Sequence, residues 1–164
     1  MMTGRDKAMA AGAVVLMGLA AWGIWRFLHE DTGVSEKAFF YDLSEQKLFV
    51  ADRGSIAPIR GINDAIEDGV RAVVISTNGQ PQMKRSWHIA YLEMYAPELK
   101  AALVAAQKSG AQPAVSRSDA QGMRLVKRVA DANWVALSSP EGERIASEWV
   151  HLAAPGTQAV VCSP

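Results

Sequence analysis

The side chains able to do chemistry in this sequence are few and scattered. Glu148 and His151 stand three apart in a stretch of helical periodicity, which puts an oxygen and a nitrogen ligand on one helix face. A zinc or di-iron centre needs more ligands than one Glu-x-x-His supplies, so the pair predicts a polar helix face and no metal site. His88 follows Trp87 in a β-rich run and reads as a half-exposed strand residue, while His29 precedes the acidic pair Glu30-Asp31. Ser55, Ser116, Ser118 and Ser139 lack both a G-x-S-x-G elbow and a paired base. No glycine-rich loop leads into a lysine and a hydroxyl in the phosphate-cradling pattern. Asp64, Glu67 and Asp68 lack the spacing and turn glycine of a calcium loop and read as a solvated helical face. Lys127-Arg128 with Arg124 reads as the solvent side of a strand. Cys162, the one cysteine, cannot form an intramolecular disulfide and ends the apolar run Ala159-Val160-Val161, so it reads as a small apolar residue. From these residues we expect no catalysis, no cofactor and no bound metal.

Five tryptophans invite a recognition reading. Trp87, Trp134 and Trp149 fit a small core as well as a binding face, and we read them as core. Trp22 and Trp25 belong to the most distinctive stretch of the chain, Ala8 to Leu28, which carries no charge until Arg26. Such a run of about 20 residues makes a helix about 30 Å long, the thickness of a bilayer's hydrocarbon core. A secretory signal cleaved near Gly18-Leu19-Ala20 is the rival reading. The apolar run continues through Trp22, Ile24, Trp25, Phe27 and Leu28, and favours a retained transmembrane anchor. Arg5 and Lys7 precede the span and Glu30-Asp31 follow it, so the positive-inside rule places the N-terminus in the cytoplasm and the rest outside. Trp22, Trp25 and Arg26 are then the membrane-interface residues at the outer side.

We therefore divide the chain into a cytoplasmic stub and anchor over 1–28, a linker over 29–37 and an exported domain over 38–164. Lys+Arg and Asp+Glu are equal at 17 each, and beyond residue 28 the balance is 14 basic against 16 acidic side chains. A mildly acidic domain gives no reason to expect nucleic acid as a partner. In chain order, Ala38 to Leu43 and Lys47 to Ala51 predict a hairpin around Ser44-Glu45-Gln46. Asp52 to Gly69 reads as a loop with a helical turn over Asn63 to Glu67. Val70 to Thr77 predicts a strand buried on both faces, paired with a strand from Trp87 to Tyr95. Ala96-Pro97-Glu98 starts a helix with the apolar stripe Leu99, Ala102, Leu103 and Ala106, ended by Ser109-Gly110. Ala111 to Gly122 reads as a flexible loop. Met123 to Ala130 and Trp134 to Leu137 predict a second hairpin, and Ser139-Pro140-Glu141 starts a second helix with Ile145, Trp149 and Leu152 on one side. The tail Ala159 to Cys162 reads as a short edge strand. The expected fold is α+β: a transmembrane helix, then an antiparallel sheet of five or six strands with two helices on one face.

The runs Phe39-Phe40-Tyr41-Asp42-Leu43, Leu48-Phe49-Val50, Gly69-Val70-Arg71-Ala72, Tyr91 to Lys100, Trp134-Val135, Ser139-Pro140-Glu141-Gly142 and Cys162-Ser163-Pro164 resemble a family of short, single-span bacterial proteins of uncharacterised role. The resemblance covers the whole exported domain and implies a shared α+β fold. Similar sequences often hold extra cysteines in the turn occupied here by Asn78 to Gln82, and their absence from this sequence speaks against a thiol or metal role there.

The expected function is a non-catalytic interaction module tethered to the outer face of the bacterial inner membrane, with the membrane and a protein as partners, as in an accessory subunit of a membrane-associated complex. The alternative is a small-ligand sensor or carrier with its pocket between the sheet and the helix Pro97 to Lys108. A hydrolase with a site assembled from distant residues is a third reading, carried by His88 or His151 beside a carboxylate in a cleft.

Overall fold

The computed structural model describes residues 35–63 and 66–164, together with Met17, Ala20, Trp22 and Trp25. The chain divides into two compact units, Met1–Val34 and Ser35–Pro164. In the first unit the four described residues are helical and exposed. The rest of the expected span Ala8 to Leu28, Arg26 included, lies outside the described residues. Among those described, no helix is long and apolar enough to cross a membrane.

The second unit is α+β. Its strands are β1 (Lys37–Asp42), β2 (Lys47–Asp52), β3 (Gly69–Ser76), β4 (Trp87–Tyr95), β5 (Arg124–Lys127), β6 (Val135–Ala136) and β7 (Val160–Val161). They form one antiparallel sheet in the order β2-β1-β3-β4-β5-β6, with β7 paired to β3. The helices are α1 (Pro97–Ser109), α2 (Arg117–Gly122) and α3 (Pro140–Glu148), packed against β4, β5 and β6. Apolar residues on consecutive positions of β1 bury both of its faces. Phe39 and Tyr41 join Val70, Ala72, Val74, Leu92 and Cys162 in one cluster, and Ala38 and Phe40 join Ala57 in another.

The first hairpin forms in the expected place with a longer turn. The register pairs Asp42 with Lys47, leaving Leu43 to Gln46 outside the ladder. Asp42 fixes this turn. Fully buried, its carboxylate accepts hydrogen bonds from the Glu45 amide at 2.7 Å, the Ser44 hydroxyl at 3.0 Å and the Ile62 amide at 2.6 Å. One side chain thus closes the hairpin and holds the long loop between β2 and β3, which is also stitched by paired Ile59–Gly69 backbone bonds of 2.8 Å. The expected helical turn over Asn63 to Glu67 lies partly outside the described residues. Its described part is turn and bend.

Three further expectations are corrected. Ala111 to Gly122 is not all loop, because Ser116 caps α2: its hydroxyl accepts from the Asp119 amide and donates to the Asp119 carboxylate, a reciprocal cap within three residues. Three helices therefore replace the expected two. The strand expected to run to Ala130 stops at Lys127, because the Asp131 carboxylate takes the Arg128 amide into a turn. Leu152 does not share a buried side with Ile145. From Trp149 the chain tightens into a 3-10 turn, rotating each residue by about 120° instead of 100°, and Leu152 is left exposed. The tail is the short edge strand expected: β7 pairs with β3, on the side that β1 occupies further along, and with no other strand among the described residues.

Helix ends obey their local chemistry. Ser139 caps α3 by accepting from the Gly142 amide at 3.0 Å, and Gly110 ends α1 in the left-handed conformation at φ 68°. Gly142 is required by contact: a Cβ there would overlap the Ala136 carbonyl of β6, so its absence lets α3 sit on the sheet.

The Glu45 amide first, then the Ile62 amide and Ser44, hold the Asp42 carboxyl below its ordinary value of 3.8, against the opposing effect of burial. Its stabilising contribution is therefore full above pH 4 or so and is lost as pH falls through the depressed folded-state value. Asp42→Ala should lower Tm by roughly 5–10 °C at neutral pH, with the gap to wild type narrowing in acid. Calorimetry between neutrality and about pH 3 checks both parts, and a pH-independent gap would contradict the assignment.

Candidate functional site

A large apolar concavity among the described residues lies along α1. This helix begins where β4 ends: Pro97 occupies its first turn, and the Ala96 amide is tied to the Met123 carbonyl at 2.8 Å. Leu99 is buried, and Ala102, Leu103 and Ala106 are partly buried. A second stripe, Ala101, Val104 and Ala105, lines a groove of about 710 Å³ between the helix and Pro58, floored by Met94 and Tyr95. Two lysines of the helix, Lys100 and Lys108, stand at its rim.

The facing wall belongs to the β2–β3 loop, held against the helix by a clamp. Lys100 Nζ donates to the Pro58 carbonyl at 2.6 Å and to the Glu67 carboxylate at 2.5 Å. The ammonium lowers the pKa of Glu67, chiefly through that hydrogen bond and then through its charge. On the sheet side the Tyr95 amide donates to the Ala57 carbonyl at 3.3 Å. Both walls are thus fixed by polar contacts, and the surface between them is apolar. Its one carboxylate side chain, Glu67, is engaged by Lys100.

The residues singled out in the sequence fall elsewhere. Trp22 and Trp25 are helical and more than half exposed, at 57% and 58%, and Arg26 lies outside the described residues. His88 and His151 are exposed. Trp87 and Trp134 pack against the core, Trp87 edge-on to Phe39 at 5.0 Å between centroids, whereas Trp149 is half-buried with its indole N–H on the Ala146 carbonyl. Cys162 is a core residue whose thiol pKa is raised by burial. Among the described residues no group of three or more His, Cys, Asp or Glu side chains is placed to hold a metal ion.

Glu148 is committed to a different partner from the one its spacing suggested. It pairs with Arg128, which the sequence placed on a solvated strand face. Arg128 also reaches Asp131 at 3.1 Å and Glu141 at 3.5 Å, and Arg144 joins Glu141 at 2.6 Å. The Arg128 guanidinium lowers the pKa of Glu148, and Arg144 lowers that of Glu141, in each case first through a side-chain hydrogen bond. This network ties the β5–β6 turn to α3.

The pocket expected between the sheet and the helix Pro97 to Lys108 did not include the Pro58 and Glu67 wall that borders this groove. The available signal was the second apolar stripe of α1, which a helix facing solvent on that side does not need. No protein-family profile, curated protein or solved structure matches this chain.

Arg128→Ala leaves three carboxylates facing one another across the β5–β6 turn. It should cost about 1–3 kcal/mol of stability, less in high salt. Urea unfolding at two salt concentrations measures this, and an unchanged midpoint would show that the network only decorates the surface.

Proposed function

We propose that the chain is a non-catalytic interaction module, tethered to the outer face of the bacterial inner membrane by the stretch Ala8 to Leu28, with the groove along α1 as its docking element. The tether rests on the apolar sequence, its charge asymmetry and the resemblance to single-span bacterial proteins. The docking element rests on one observation: α1 is apolar on two sides, and its Ala101, Val104 and Ala105 side lines an open groove instead of packing inward. Apolar surface left in water costs roughly 25 cal/mol per Å², so covering this groove is favourable for any apolar segment that fits. Small side chains let a partner's backbone approach closely, and Lys108 at the rim favours a segment carrying an acidic residue at one end.

The groove also supports a second reading, a carrier or sensor of a small amphiphilic acid. A volume of about 710 Å³ falls in the range of small-molecule pockets, and apolar walls with a lysine at the rim suit an aliphatic carboxylate.

Ala101 is exposed, so Ala101→Trp fills the groove without disturbing the core. Purified from native membranes in mild detergent, the wild-type chain should bring down a protein partner that the variant loses, with the two Tm values within about 2 °C of each other. A strictly monomeric wild type that melts higher with a medium-chain fatty acid would favour the carrier reading. A monomer indifferent to both would remove the groove as the functional element. Protease added to the cytoplasmic side of inverted vesicles should leave the domain intact, and digestion there would reverse the topology.

A further inference from the structure

Two segments share one edge of β3 without meeting. β1 pairs with Gly69 to Arg71, and β7 pairs with Ile75 and Ser76 from the other end. Between them a notch of about 430 Å³ opens over Arg71 to Val74, walled by Lys37 to Phe39 on one side and Val161 to Pro164 on the other. Directly opposed residues of neighbouring strands point to the same face. Arg71 opposes Glu93, and Tyr95 opposes Arg124, so these four side chains project together, and Arg53 joins them from the end of β2.

The charges here are unbalanced. Lys37 is neutralised by Asp52 at 2.6 Å. Arg53, Arg71 and Arg124 form no ion pair among the described residues, where the paired arginines are Arg128 and Arg144. The one carboxylate side chain left at the notch is Glu93, which also faces the Tyr91 hydroxyl. Three guanidinium groups stand here against one carboxylate side chain. Arg71 is half-buried on the central strand, between Phe40 of β1 and Glu93 of β4, where a cation ordinarily has a partner. Guanidinium groups present planar pairs of N–H donors that match the oxygens of phosphate, and a phosphate monoester carries a charge of about −1.5 to −2 at neutral pH.

We propose that this notch is an oxyanion site for a phosphate monoester, with Arg71 at its floor and Arg53 and Arg124 donating to the phosphate oxygens from its rim. The site is distinct from the apolar groove and does not depend on it. A monoester reaches it either as a soluble metabolite or as the headgroup of phosphatidic acid, and the arginines read the same group in both.

Titrating the full chain in detergent with glycerol 3-phosphate in a calorimeter should give saturable binding, weakened about tenfold or more by Arg71→Gln or Arg124→Gln. Arg144→Gln, on α3, should leave it unchanged. Arg124 is exposed, so its variant keeps the test valid if Arg71→Gln fails to fold. The proposal is overturned by no saturation up to about 10 mM, by equal affinity for succinate, or by binding indifferent to Arg124→Gln. In a second arm, dihexanoyl phosphatidic acid below its micelle concentration binds with the same arginine dependence. Affinity equal to that of glycerol 3-phosphate assigns the soluble source, and a gain of about tenfold or more assigns the lipid.

Discussion

One strand carries the architecture. β3 hydrogen-bonds to β4 along one edge and divides the other between β1 and β7, so three strands take their position from its eight residues. Val70, Val74 and Ile75 are almost completely buried, and removing apolar bulk from such positions costs both transfer and cavity energy. The same arrangement creates the notch. Had β1 run alongside β3 to its end, there would be no room for the tail and no opening over Arg71. The buried core around β3 and the interrupted ladder along its edge follow from the same pairing.

Around that sheet, charged side chains act as fasteners. Asp42 gathers the first turn and the β2–β3 loop, Lys100 holds that loop against α1, and Arg128 ties the β5–β6 turn to α3. Each joins segments that local structure leaves independent. Burying Asp42 is tolerable because its oxygens are met by amide and hydroxyl donors, which replace the water they give up. Lys100 and Arg128 remain partly exposed, so their value lies more in fixing the relative placement of elements than in net stabilisation.

The two concavities differ in chemistry because they are built from different materials. The groove lies between a helix and a loop, where Ala101, Val104 and Ala105 present aliphatic surface and the polar clamps lie at its borders. The notch lies in the sheet itself, where cross-strand register brings Arg71, Glu93 and Arg124 to one face. Tyr95 borders both, which places an apolar surface next to a cationic one.

The sequence by itself determined what is local. Alternation in Val70 to Thr77 marked β3, Pro97 and Gly110 marked the ends of α1, and Ser139 marked the start of α3, because periodicity and capping involve neighbours within a few positions. The reciprocal Ser116–Asp119 cap was equally local and was hidden by the polar, glycine-containing composition around it. Tertiary structure alone decided which charges pair, where the tail docks, and where surface is left open. Those outcomes depend on contacts between residues 20 to 80 apart, such as Asp42 with Ile62 and Thr157 with Thr77. No local pattern distinguishes an arginine that will meet three carboxylates, as Arg128 does, from one that will face a notch, as Arg71 does, because the difference lies in the strand that packs beside it.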